Sequence, residues 1–397
     1  MERCLQYISS CMLEEVENVM HSLLKQEPLL PFTCLLADVR IPFSQCLADK
    51  FGIPRIAFWT QSAASFSYHV TLAGGFHLPA DEREIIEHIP GVPTHTASEA
   101  PVIFRRELVG DFIFDFILKP FLQLNGALAV VINTFESLEA EALDALRGQG
   151  LNVLSIGPLL PLAYFRSSTS TSPSSTGSKE ENKIKAEHFC LKWLDAREPA
   201  SVLYISFGTL VCLEEATFEE LALGIEASGR NFLWSLRPNM LAGNQSASFI
   251  EAFKGRTEHR GLVVPWAPQV EVLSHASIRG FLTHCGWNSS LESMCRGVPM
   301  IGMPVFGEQK LNLMCLVQCW KVCLDMSSER LQQEQVEESV QALFEGLKAE
   351  ELRSWADKVQ SAAAFSIGSS GSSSANFKHV VKLVSGSSRL DHLGQLA

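Results

Sequence analysis

Neither of the glycine patterns by which nucleotide folds are most often recognised, G-x-G-x-x-G and G-x-x-x-x-G-K-[ST], occurs in this chain. Without the first of them, and without the acidic residue that follows it by about 20 positions, a nicotinamide-dependent oxidoreductase is excluded. Long apolar runs are also missing. No stretch reaches the ~18 uninterrupted apolar residues of a membrane span, and the nearest, Val109 to Leu124, is broken by Asp111, Asp115, Lys119 and Pro120. The start has no apolar secretory region: Met1, Glu2 and Arg3 lead to an amphipathic run from Leu13 to Met20. Positive charge is scarce. At a net charge of −12, nucleic acid and anionic lipid are excluded as general partners. One small phosphorylated ligand is not, because backbone N–H groups bind phosphate without lysines. The eleven cysteines are odd in number and contain no C-x-x-C pair. That pattern predicts a reduced, cytoplasmic protein rather than a disulfide scaffold.

What is present is the composition of a globular protein, 46% hydrophobic and 19% charged over 397 residues, long enough for two cores. Short β-rich runs alternate with helical patterns, the mark of parallel α/β layers. In the first half, strands are predicted at Cys34–Ala37, Pro54–Phe58 and Ala129–Asn133, with helices around Phe43–Phe51 and from near Leu138. Ser167 to Ser178 is nearly all Ser, Thr, Pro and Gly, followed by Lys179-Glu180-Glu181. Such a segment reads as a linker or flexible loop. Beyond it, strands are predicted at Val202–Ser206, Phe232–Leu236, Leu262–Val264, Phe281–Thr283 and Met300–Gly302. A helix from Thr217 should bury Phe218, Leu221, Ala222 and Ile225 and stop at Gly229. Cys315, Cys319 and Cys323 recur at i, i+4, which suits a buried stripe or a metal site; no histidine or carboxylate stands at ligand spacing, which favours the stripe.

Doubly wound sheets bind ligands at the carboxyl ends of their strands. One dense segment there, Trp266 to Gln309, spans 44 residues. In it, strand Phe281–Thr283 runs into His284-Cys285-Gly286-Trp287-Asn288-Ser289, and a helix is expected from about Ser289. A glycine turn at a helix N-terminus presents N–H groups and a positive dipole end to an anion. Asn288 and Ser289 suit capping of that helix, and Trp266 suits stacking on a flat base. Taken singly, each residue fits a purely structural role as well.

Along its whole length this segment resembles the signature box of the plant family-1 UDP-glycosyltransferases, enzymes of secondary metabolism. The resemblance extends to Ile205–Thr209, Trp193–Asp195, Ile156–Leu159, Asn133–Glu136 and Ala48–Pro54. It implies an α/β GT-B fold, two facing Rossmann-like doubly wound domains. The expected division is 1–160 for the acceptor domain, 161–190 for a flexible linker, 191–375 for the UDP-sugar domain and 376–397 for a C-terminal helix and tail. It further implies that Trp266 stacks on uracil while the Ala267 backbone reads the base edge, and that Gln269 and Glu292 hold the ribose. His284, Gly286, Asn288, Ser289 and Thr209 would take the diphosphate. Trp287, Glu308 and Gln309 would line the sugar, with Thr60 reaching it from the other domain. Trp287 and Gln309 imply glucose, so the resemblance points to inverting transfer from UDP-glucose to a hydroxyl of a small lipophilic acceptor such as a flavonoid or other phenolic. No metal and no cofactor are implied; the UDP-sugar is a co-substrate.

The resemblance also implies a catalytic histidine just after the first N-terminal strand, oriented by an aspartate. Asp38 matches the aspartate, but only His21 precedes it, inside a helical pattern. The expectation is therefore a chain that starts roughly eighty residues late and lacks early strands of its first sheet. That leaves two classes of function: a working glycosyltransferase, or a catalytically impaired UDP-sugar-binding fragment. The last helix, expected from about Asn376 to pack back on the N-terminal domain, should then dock poorly. Phe58, Trp59, Phe66, Phe112, Phe114 and Phe116 fit either an aromatic acceptor cavity or core.

Overall fold

The computed structural model describes residues 5–8, 11–26, 32–160, 189–237, 240, 246–328 and 330–385. The serine-rich stretch from Ser167 to Glu181 lies outside them. The chain divides into two compact units, one made of residues up to Leu159 together with those from Phe365 on, the other of Leu160–Ala364.

The first unit holds a parallel sheet of β1 (Leu35–Asp38), β2 (Arg55–Trp59), β5 (Ala129–Ile132) and β6 (Val153–Ser155) in that spatial order; β3 (Ile85–Ile86) and β4 (His95–Thr96) pair separately, antiparallel. The inner strands are buried along their length except at the half-buried Phe58, as a sheet covered on both faces requires. β1 stands at an edge, with Leu36 exposed. One face packs through Trp59, Phe66, Phe121, Val130, Ile132 and Leu143. The other packs Ile56, Val131 and Ile156 against Val380 and Leu383 of the helix Ser372–Val384. This corrects two expectations for that helix. It begins at Ser372 rather than near Asn376, and it is docked, with Asn376 Nδ2 donating to the Ser155 carbonyl at 2.9 Å.

The aromatics of this unit are divided. Trp59, Phe66 and Phe114 are buried core and Phe112 is 39% exposed, while Phe58 and Phe116 are half-buried. The expected helix Phe43–Phe51 spans Ser44–Phe51, and the one expected near Leu138 starts at Glu136.

The second unit is a six-stranded, all-parallel sheet: β7 (Val202–Ser206), β8 (Asn231–Ser235), β9 (Gly261–Val264), β10 (Ile278–Thr283), β11 (Met300–Gly302) and β12 (Cys323–Asp325). The spatial order β9-β8-β7-β10-β11-β12 is the doubly wound order in which the chain reverses direction between its first and fourth strands. The helix expected from Thr217 runs Glu215–Ala227 and buries Phe218, Leu221, Ala222 and Ile225 as its spacing demands. Gly229, at φ +68°, follows it in the left-handed conformation that closes a helix.

The cysteine stripe does not form. Cys315 and Cys323 are buried but Cys319 is exposed, because the helix Gln309–Met314 opens into a π turn over Cys315–Cys319 and Cys323 belongs to β12. Among the described residues no group of His, Cys, Asp or Glu is placed to hold a metal ion, and no helix is long and apolar enough to cross a membrane.

Candidate functional site

Register aligns the carboxyl ends of the second sheet in one row: Val264, Ser235, Ser206, Thr283, Gly302 and Asp325 are successive neighbours across it. Everything the chain places just beyond those residues therefore shares one edge. Beyond β7 come Phe207-Gly208-Thr209, beyond β10 His284-Cys285-Gly286, beyond β11 the loop to Gln309, and beyond β9 Trp266. The gap between β7 and β10 is the switch point where such sheets take ligands.

At that point His284 fills the space between two glycines. A β-carbon on Gly208 would lie 2.7 Å from its Cε1, and one on Gly286 2.5 Å from its Nε2. Gly208 also has φ +68°, a conformation that glycine adopts freely. Burial, opposed by a hydrogen bond to the Ser206 backbone and helped to a lesser degree by the nearby positive charge of Arg237, lowers the His284 pKa to about 4. The ring is thus neutral near pH 7.

The next residue, Cys285, is buried at φ +61°, a strained backbone that costs on the order of 1–3 kcal/mol. Asn312, itself fully buried, holds it by donating Nδ2 to the Cys285 carbonyl at 3.0 Å. The Cys285 sulfur fits because β11 ends in glycine: a β-carbon on Gly302 would come within 2.7 Å of it.

The following helix runs Trp287–Cys295, two residues earlier than its sequence suggests. Its N-cap is Gly286, with no side-chain cap, so Asn288 and Ser289 belong to the first turn instead. Asn288 is exposed and the Trp287 ring is buried, 5.8 Å from the ring of Trp320. What Trp287 brings to the edge is its place at a helix N-terminus, where first-turn amides point outward.

One turn further along, Glu292 accepts a hydrogen bond from Gln269 Nε2 at 2.7 Å, and Ser289 Oγ takes the other Gln269 proton at 2.9 Å. Burial raises the Glu292 pKa and the Gln269 bond opposes that rise. Trp266, at the mouth, is 39% exposed, with Ala267 buried behind it.

Gln309 is buried, and its Oε1 accepts from both Val305 N (2.8 Å) and Phe306 N (3.0 Å), which closes the loop after β11 and commits that oxygen. Its Nε2 is the end left to face a ligand. Glu308 is half-buried beside it and Thr209 is exposed on the loop after β7.

Three contributors at this edge were not singled out from sequence. Arg237, two residues past β8, donates Nε to the Gly208 carbonyl (2.8 Å) and a terminal nitrogen to that of Val211 (3.2 Å), fixing the loop that carries Thr209. Asn312 and Tyr204 are the others. Arg237 lay within reach of the strand-end rule alone.

In the first unit, Asp38 ends β1 and its Oδ1 accepts from Arg40 N at 2.8 Å. No histidine among the described residues is recorded as bonded to it. His21 lies on an exposed helix, its ring 5.0 Å from that of Phe51 and its Nε2 3.6 Å from Glu17. Thr60 directly follows β2 and is half-buried. Ser62 caps the helix Ala63–Ala73 behind it, and the buried Glu139 accepts from Ala63 N and Ala64 N at 2.8 and 2.9 Å.

The parallel α/β architecture, with its doubly wound second sheet, is that of the GT-B glycosyltransferases. The chain belongs to the family described as UDP-glucoronosyl and UDP-glucosyl transferase, whose model matches residues 5–351. Among its relatives, a 7-deoxyloganetin glucosyltransferase of Gardenia jasminoides is 33% identical over 370 residues, covering 89% of this chain and 75% of the relative. A myricetin 3-O-rhamnosyltransferase of Crocosmia x crocosmiiflora is 33% identical over 374 residues, covering 91% and 77%. Os79 of O. sativa, solved in complex with UDP, superposes with a TM-score of 0.81 at 26% identity, covering 96% of this chain and 84% of that one.

Proposed function

We propose that this chain transfers glucose from UDP-glucose to a hydroxyl of a small lipophilic acceptor such as a flavonoid or another phenolic, inverting the anomeric carbon, in the cytoplasm. The acceptor oxygen forms the new bond to that carbon as the bond to the UDP oxygen breaks, and the acceptor proton passes to a general base. Uracil lies on Trp266 against the Ala267 backbone, and the ribose meets Gln269 and Glu292. The diphosphate takes the first-turn amides after Gly286, with Ser289, Asn288, Thr209 and His284. This arrangement stabilises the departing UDP in the manner of an oxyanion hole. Glu308 and Gln309 face the sugar; Asp38 stands at the position of the base-orienting aspartate, and no histidine among the described residues is bonded to it.

The observation that carries the reading is the site at the switch point, where His284 sits between Gly208 and Gly286 beside an outward-pointing helix N-terminus. For the sugar, the support is Gln309, whose committed oxygen leaves a donor N–H₂ to meet hydroxyl groups. For the acceptor, it is two of the relatives, a 7-deoxyloganetin glucosyltransferase and a myricetin 3-O-rhamnosyltransferase.

Calorimetric titration of the purified chain with UDP and UDP-glucose, without added metal, tests the donor half; micromolar binding is expected. Turnover of a panel of phenols with UDP-glucose, UDP-galactose and UDP-rhamnose tests the rest. A preference for either of the other sugars would overturn the glucose assignment.

A further inference from the structure

Tyr204 lies on β7, fully buried, its ring stacked on that of Phe281 in the neighbouring strand (5.0 Å between centroids, 18° between planes). Two packed strands therefore fix where its hydroxyl stands. That hydroxyl donates to Gln269 Oε1 at 3.2 Å.

The carboxamide of Gln269 is then fully determined. An ionised carboxylate only accepts, so the Gln269 nitrogen must face Glu292. Its two protons go to Glu292 Oε2 and Ser289 Oγ, and its oxygen goes to Tyr204. A flipped amide would set oxygen against carboxylate. Gln269 has no proton left for a ligand, whereas Glu292 keeps its second oxygen.

We propose that Tyr204 is a positioning residue for nucleotide recognition: through Gln269 it holds Glu292 with one carboxylate oxygen free to accept from a ribose hydroxyl. The inference rests on the donor-site reading above.

Removing the tyrosine hydroxyl leaves the ring packing in place and frees Gln269 to turn. The experiment compares UDP with 2′,3′-dideoxy-UDP, which lacks both ribose hydroxyls, by calorimetry on the full chain. The wild type should prefer UDP by at least about tenfold, the worth of one hydrogen bond to a charged group. In Tyr204→Phe that ratio should shrink severalfold, with UDP weakened and the dideoxy nucleotide nearly unchanged. Tyr204→Met, which removes the hydroxyl with a different side chain, should show the same collapse. In a Gln269→Ala background, Tyr204→Phe should change the ratio no further.

A folded Tyr204→Phe protein with the wild-type ratio would overturn the assignment, as would a further drop in the Gln269→Ala background. A wild type that binds neither nucleotide would instead overturn the donor-site reading, and the inference with it. A wild type that binds UDP but does not prefer it over the dideoxy form leaves that reading standing and sinks the inference alone.

Discussion

Gly208 and His284 exclude each other's growth: a β-carbon on the glycine would stand 2.7 Å from Cε1 and 2.8 Å from Nε2 of the imidazole. Both positions offer only part of the room that two ordinary side chains require, and the glycine φ of +68° adds a second constraint. Gly208→Ala must displace the ring and accept a left-handed backbone, which alone costs roughly 1–2 kcal/mol. The expected outcome is a lower melting temperature with UDP affinity reduced tenfold or more in the protein that remains folded. Calorimetry on that variant with unchanged affinity would show that the ring position is irrelevant to the ligand.

Trp266 contributes differently, being 39% exposed at the mouth. Trp266→Ala should weaken UDP by about 1–3 kcal/mol through lost stacking. A Trp266→Phe variant should recover part of the affinity. If both variants bind like the wild type, the base lies elsewhere.

Gln309 has two separable duties, because each end of its carboxamide has its own partner. Gln309→Glu keeps an acceptor for Val305 N and Phe306 N but loses the donor end. It should raise the KM for UDP-glucose with little change in melting temperature. Gln309→His disturbs both ends and should shift donor preference away from UDP-glucose and also loosen the loop, visible as faster proteolysis there. Identical donor kinetics in both variants would remove Gln309 from the sugar site.

His69 gives the first unit an acid sensitivity. It is fully buried, with Nδ1 on the Ser65 carbonyl at 2.7 Å and Nε2 without a partner among the described residues. Burial first, and then the charge of Arg40, lower its pKa to about 3. The unfolded chain takes up a proton near the ordinary value of ~6.5, while the folded one refuses it until about pH 3. Between those limits the unfolded state binds more protons, so stability falls as pH falls. His69→Leu should lose on the order of 1–2 kcal/mol at neutral pH from poorer packing yet show a flatter decline between pH 6 and pH 4. A decline as steep as wild type would assign the acid sensitivity to other groups.

How much of this was legible in the sequence depends on how far each residue's partner lies along the chain. The strands at Val202 and Met300 declared themselves because strands buried on both faces are unbroken apolar runs. The Phe218, Leu221, Ala222, Ile225 face is local geometry, fixed by helical period alone. The start of the helix at Trp287 was hidden. Asn288 and Ser289 look like caps, but the turn is made by Cys285 in a left-handed conformation, which its residue type does not advertise. The cysteine spacing misled for a similar reason, since a π turn at Cys315–Cys319 breaks the periodicity that the spacing assumes. Tyr204, Arg237 and Asn312 were missed altogether. Their partners are 65, 26 to 29, and 27 positions away, separations at which no pattern rule operates and only the folded sheet makes the pairing.

The helix Ser372–Val384 supplies Val380 and Leu383 to a core whose other buried members, Ile56, Ala129, Val131 and Ile156, lie more than two hundred residues earlier. A ribosome emits the chain in one direction, and domains generally fold as units as they emerge. The unit spanning Leu160–Ala364 is continuous and can complete itself as soon as it clears the exit. The unit that begins first must finish last, holding one face of its sheet open until the helix Ser372–Val384 has been made. A premature stop anywhere before Val380 would leave the Leu160–Ala364 unit whole and the first sheet without the Val380 and Leu383 that cover one of its faces.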